Sequence, residues 1–147
     1  MVVATAMFFS LPVLGEENAT VMEEIVVTSR KRQENLQEVP VAISTFSGDQ
    51  LEQQNIFEFS DIDEQIAGVS ISSVQSDPVT SSIQIRGQAA ADTVLTTDSS
   101  VGVYLNGVNL PRATTLNSNI FDTERIEFLK GPQGTLYGRN TTGGAIN

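Results

Sequence analysis

Three sets of residues have the types and spacing that can do chemistry. Asp61-Asp63 and Asp122-Glu124 are carboxylate pairs of the kind that divide acid and base duties or hold calcium. Lys130 opens a loop containing Gly131, Gly134, Gly138, Gly143 and Gly144, the make-up of a phosphate cradle. None of the three carries its pattern through. A calcium loop needs a glycine and a terminal glutamate at fixed offsets, and a phosphate-binding loop ends on Gly-Lys-Ser/Thr, whereas Lys130 comes before its glycines. The acidic pairs are better explained as helix-start charges that complement the dipole. No serine, lysine or tyrosine has an evident activating partner. The chain also has no histidine and no cysteine, which removes the commonest general base, thiolate nucleophiles, disulfides and zinc–cysteine clusters. The expectation is no catalytic residue, no cofactor and no metal; a secreted hydrolase built on Asp61 or Asp63 is the weakest reading.

What remains unusual is charge set among apolar residues. Arg86 ends a β-branched run, Arg125 and Glu127 bracket Ile126, Lys130 adjoins a turn, and Arg139 stands near glycines. Eight basic and eighteen acidic residues give a net charge of −10, so the positive footprint that neutralises phosphates is missing and nucleic acid is not an expected partner. At 147 residues the chain suits one domain, which at this size buries about two-thirds of its unfolded surface.

The elements that must position these residues can be read in turn. Residues 1–15 are apolar from Val2 to Leu14, the length of a signal-peptide core and too short for a membrane-spanning helix; Gly15 fits a cleavage point. The basic flank of such a signal is absent, so the segment is either an export signal truncated at its start or an incidental apolar tail. Residues 16–38 are polar apart from Ile25-Val26-Val27, a composition that cannot fold alone but suits a strand added to another protein's sheet. From residue 39 to residue 147 a folded domain is expected. Pro40 to Phe46 alternates as a strand; Ser47 with Gln50 makes a capping box for a helix through Asn55. A second helix is expected over Ser60 to Ala67, with Ile62 and Ile66 on one side and Gly68 at its left-handed end. Ser82 to Gly87 reads as a strand with Ile83 and Ile85 inward, followed by a loop from Gln88 to Ser100. Asn106-Gly107 between Val101–Leu105 and Val108–Leu110 specifies a two-residue hairpin turn. Ile126, Phe128 and Leu129 form a strand that Gly131-Pro132 stops, and Ala145 begins another. The fold class is α+β: a small mixed β-sheet from the Pro40, Ile83, Val101, Val108, Ile126 and Ala145 regions, packed by short helices.

Several of these segments, in order, resemble the plug domain of TonB-dependent outer-membrane receptors. Arg125-Ile126-Glu127, Lys130-Gly131-Pro132, Leu136-Tyr137-Gly138 and Gly143-Gly144 match the end of that plug; Ile85-Arg86-Gly87 matches its isoleucine-arginine-glycine signature. Tyr104-Leu105-Asn106-Gly107-Val108 is similar to its hairpin, with Asn106 where aspartate is common, and Glu23 to Ser29 looks like its TonB box.

The resemblance implies the rest. Glu24, Ile25, Val26, Val27 and Thr28 would pair with the periplasmic domain of TonB, a protein driven by the inner-membrane proton gradient. Arg86 and Arg139 would contact carboxylates on the wall of the receptor's own β-barrel, with Glu127 and Lys130 in the same charged cluster. The plug would lie in a barrel of about 22 strands with a polar lumen, in the outer membrane of a Gram-negative bacterium, with residues 16–38 reaching into the periplasm. It would gate energy-coupled import of a scarce ligand, such as a ferric siderophore, vitamin B12, a nickel complex or a carbohydrate. No barrel is present in these residues, so the chain is expected to be part of a longer receptor. The alternative is a free-standing soluble periplasmic module of plug-like fold that binds a ligand or a protein.

Overall fold

The computed structural model describes residues 25–28, 31–63, 65–74, 77–89, 98–111, 120 and 122–147. The apolar segment at residues 1–15, Glu24 and most of the Gln88 to Ser100 loop lie outside them. Among the described residues no helix is long and apolar enough to cross a membrane, which says nothing of strands.

The chain is α+β. The described residues open with a two-stranded antiparallel pair, β1 (Val26–Val27) and β2 (Glu34–Asn35), followed by a 3₁₀ turn at Leu36–Glu38 capped by the Asn35 side chain. β3 (Ala42–Ser47) leads directly into α1 (Gly48–Gln53). The expected capping box is present: the Ser47 hydroxyl accepts from Gln50 N, and the Gln50 side chain accepts from Ser47 N. β4 (Val69–Val74) and β5 (Asp77–Ile85) form a second pair, then come β6 (Val101–Leu105), β7 (Val108–Leu110), β8 (Arg125–Lys130), the short helix α2 (Gly134–Tyr137) and β9 (Gly144–Ile146).

The central sheet has five strands in the order β3-β8-β9-β6-β7, antiparallel throughout except for the parallel pair β6·β9. The β6–β7 turn is made by Asn106 (φ 51°) and Gly107 (φ 80°), both left-handed as a two-residue hairpin requires. Alternation along β8 sends Ile126 and Phe128 to one face and Glu127 and Leu129 to the other. The first face carries the main core, in which Phe128 stacks on Phe59 at 6.2 Å and packs with Ile62, Ile66, Val69, Ile71, Ile83 and Ile85. The second face holds a smaller cluster of Leu129, Tyr137 and Ala145. At Gly144 the backbone passes so close to the neighbouring strand that an added Cβ would collide with the Leu129 carbonyl oxygen.

Two expectations need correction. The strand containing Ile83 is not part of the central sheet. It pairs with Val69–Val74 as a separate hairpin, Ile71 opposite Ile83 and Val69 opposite Ile85, and lays those side chains on the core from above. The helix expected over Ser60 to Ala67 is a single 3₁₀ turn, Phe59–Ile62. Its aspartates take over backbone donors: Asp61 Oδ2 accepts from Phe57 N and Glu58 N, and Asp63 Oδ1 accepts from Ile71 N at 2.7 Å. Asp61 thereby closes a capping box that starts the turn, and Asp63, extended at ψ 139°, ends it with its carboxylate committed to β4. Ile62 and Ile66 are still buried, and Gly68 still turns left-handed at φ 77°.

Candidate functional site

The charged residues singled out above fall into two groups on opposite sides of β8. At its C-terminal end, Arg86 and Lys130 come together. Arg86 follows the last residue of β5 with φ 52°, and its guanidinium lies 3.4 Å from the position a Cβ on Gly131 would take. The Lys130 ammonium donates to the Ala67 carbonyl at 2.9 Å. Partial burial, and then the Arg86 charge beside it, lower the Lys130 pKa from its ordinary value. Among the described residues neither cation has a salt-bridge partner. Arg139 is exposed beyond α2.

Glu127 departs from this group. It was expected to face outward with Lys130, but it is fully buried inside the chain. The reason is the pleat: residue 127 lies on the second face of the sheet, and residues 25–28 cover that face. Its Oε1 accepts from Thr28 N at 2.7 Å and from Thr28 Oγ1 at 3.2 Å, while Oε2 has no hydrogen-bond partner among the described residues.

The Ile25–Thr28 segment, read as a free tether, is therefore docked. Val27 is 1% exposed, whereas Ile25 at 45% and Val26 at 36% face outward. Arg125, two residues before Glu127 on the same face of β8, donates from Nη1 to the Val26 carbonyl at 2.7 Å. It also pairs with Glu124 at 2.5 Å and lies 4.0 Å from Glu127 Oε1. Asn147 continues β9 beside β8, exchanging backbone bonds with Glu127 at 2.8 and 2.9 Å, and its side chain reaches Thr28 Oγ1 at 3.5 Å. Arg125 and Asn147 were not recognised as site residues from the sequence; an i, i+2 charged pair on a buried strand is the signal that was available. Close by, Tyr104 Oη donates to the Tyr137 carbonyl at 2.5 Å, and the two rings lie 4.7 Å apart. Burial, then the Glu127 charge, then Tyr104 push the Tyr137 phenol up to about 12. An open cleft of about 1020 Å³ borders this node, lined in part by Thr28, Lys31, Tyr104, Arg125, Tyr137 and Asn147. Among the described residues no group of three or more acidic side chains is placed to hold a metal ion.

A fold of this kind has counterparts among known proteins. The family model of the TonB-dependent receptor plug domain matches residues 35–145. The chain belongs to that family. Among curated relatives of this plug domain, the vitamin B12 transporter BtuB of Vibrio vulnificus is 29% identical over 125 residues, covering 85% of this chain and 20% of the relative. The iron-regulated outer membrane virulence protein of Vibrio cholerae is 27% identical over 156 residues, covering 99% of this chain and 22% of the relative. The chain thus spans about a fifth of the length of these relatives. Among solved structures, the ferric yersiniabactin uptake receptor FyuA of Yersinia pestis aligns with a TM-score of 0.64 and 28% identity, over 73% of this chain and 16% of that one. The ferripyoverdine receptor of Pseudomonas aeruginosa aligns with a TM-score of 0.66 at 18% identity, over 83% of this chain and 16% of that one, a likeness of fold alone. The plug is thus a module of outer-membrane receptors of Gram-negative bacteria, and these relatives are receptors and transporters, not enzymes.

Proposed function

We propose that this plug gates the TonB-coupled import of a scarce ligand, a ferric siderophore above the other classes, through the barrel of its receptor. The observation that carries the reading is the docking of Ile25–Thr28 on β8, in which Val27 alone of the segment is a buried apolar side chain and a handful of polar contacts make the rest. Such contacts exchange readily with water, because the net loss per hydrogen bond is small when solvent replaces the partner. The segment can therefore be released and regained. The short β-branched strand Ile25-Val26-Val27 suits pairing with the edge of a TonB sheet, where backbone bonds supply affinity. Ligand bound at the outer loop between Ala89 and Ser99 would free the segment; a pull on it would then rearrange the plug.

Arg86, Lys130 and Arg139 are proposed to meet carboxylates of the barrel wall. Two adjacent cations without an anion of their own repel each other, and an acidic wall relieves that repulsion. The ferric siderophore assignment draws on FyuA, a ferric yersiniabactin uptake receptor 28% identical to this chain. Deleting Glu24 to Thr28 in the full receptor is expected to abolish uptake of a radiolabelled ferric chelate while equilibrium binding of the chelate to whole cells is retained. Uptake that survives the deletion refutes the coupling.

A further inference from the structure

The two edges of β1 are occupied in different ways. In an antiparallel ladder, residues alternate between pairs that exchange backbone bonds and pairs that do not. Leu36 N donates to the Ile25 carbonyl at 3.0 Å, and Val27 stands opposite Glu34 in the same register. The backbone groups of residues 25 and 27 therefore face β2. Those of the intervening positions, the Val26 carbonyl and the Thr28 amide, point to the opposite edge. An added strand would bond to that acceptor and that donor. Both are already taken by side chains: Arg125 Nη1 donates to Val26 O at 2.7 Å, and Glu127 Oε1 accepts from Thr28 N at 2.7 Å.

The match is geometric as well as chemical. Arg125 and Glu127 are two residues apart on β8 and share one face, so their side chains leave the sheet about 6.6 Å apart, the same repeat that separates Val26 from Thr28. One supplies a donor and the other an acceptor, as the backbone of a partner strand does. We propose that Arg125 and Glu127 are a stand-in strand: they occupy the outward edge of β1 and must be displaced before an extended segment of another protein can pair there. The open cleft lined by Thr28, Arg125 and Asn147 borders the same edge and leaves room for that segment. The pair holds the edge with charge-assisted bonds, so it sets a threshold against pairing in the absence of ligand. This deepens the reading of Ile25–Thr28 as the TonB-binding strand and rests on it.

The test uses the full-length receptor in detergent, without ligand, and the isolated periplasmic domain of TonB. Arg125→Ala and Glu127→Gln, singly and together, are compared with wild type and with Glu52→Gln, an exposed change on α1 away from the strand. The double variant is expected to bind the TonB domain at least about tenfold more tightly than wild type, and Glu52→Gln to bind like wild type. Amide exchange is expected to quicken at Thr28 and to stay slow at Val27, whose partner is β2. Slow exchange at Phe128 and Ile146 confirms an intact sheet; if Glu127→Gln loses it, Arg125→Ala, which leaves the carboxylate in place, carries the comparison. Wild-type affinity in the folded variants overturns the stand-in strand. Adding Thr28→Pro to the double variant, which removes the outward donor and leaves the Val27 amide to β2, separates the two ideas. If it abolishes binding while Arg125→Ala and Glu127→Gln change nothing, the TonB-binding strand stands and the stand-in strand falls; if it leaves binding untouched, both fall.

Discussion

Tyr137 shows how one residue registers the environment built around it. Its phenol is pushed up to about 12, first by burial, then by the Glu127 carboxylate, then by Tyr104. The sign of the consequence follows from which state holds the proton. An unfolded tyrosine gives it up near pH 10, while the folded one keeps it until about 12, so between these values the unfolded chain binds fewer protons and stability falls as pH rises. Below pH 10 the contribution is fully present. A spectrophotometric titration is expected to show one tyrosinate appearing only near the upper value, and Tyr137→Phe to remove that late step and flatten the alkaline loss of stability. Glu127 teaches a related lesson. Its sequence neighbours Ile126 and Phe128 marked a strand, yet only the covering by Thr28 decides that this charge is internal.

At the scale of elements, local signals that depend on a few consecutive residues were legible. The Ser47–Gln50 capping box and the Asn106-Gly107 turn are both present, because each satisfies its own backbone within four residues. Ser47→Ala is expected to lower stability by about 1 kcal/mol, measured as a shift of the urea midpoint at unchanged slope. The 3₁₀ turn at Phe59–Ile62 was less legible, since the same isoleucine spacing fits a helix, and it ends at Asp63, whose extended backbone and bond across to β4 are tertiary features. β4 itself was overlooked, although Val69-Ser70-Ile71 alternates with period two. The β4–β5 pairing was beyond local reading, because two strands of suitable pattern can join one sheet or pair with each other.

Across the whole molecule, the five-stranded sheet is covered on both faces, by the β4–β5 hairpin and the Phe59–Ile66 turns on one and by α2 and residues 25–28 on the other. Phe128 is fully buried at the centre of the larger core, and Phe128→Ala is expected to cost about 3–5 kcal/mol in chemical denaturation, with the loss seen equally by probes of either face. A loss confined to one face would mean that the faces fold independently. From composition and motif order alone came the α+β class, the strand at Ile126, the absence of histidine and cysteine chemistry, and the likeness to TonB-dependent receptor plugs, since these depend on residue type and short spacing. Contacts between Thr28 and Glu127, or Val26 and Arg125, join positions 99 residues apart, and no pattern along the chain encodes which face of a strand will be covered, or by what. That choice belongs to packing, and it turned an outward charge into an internal one and a loose tether into a docked strand.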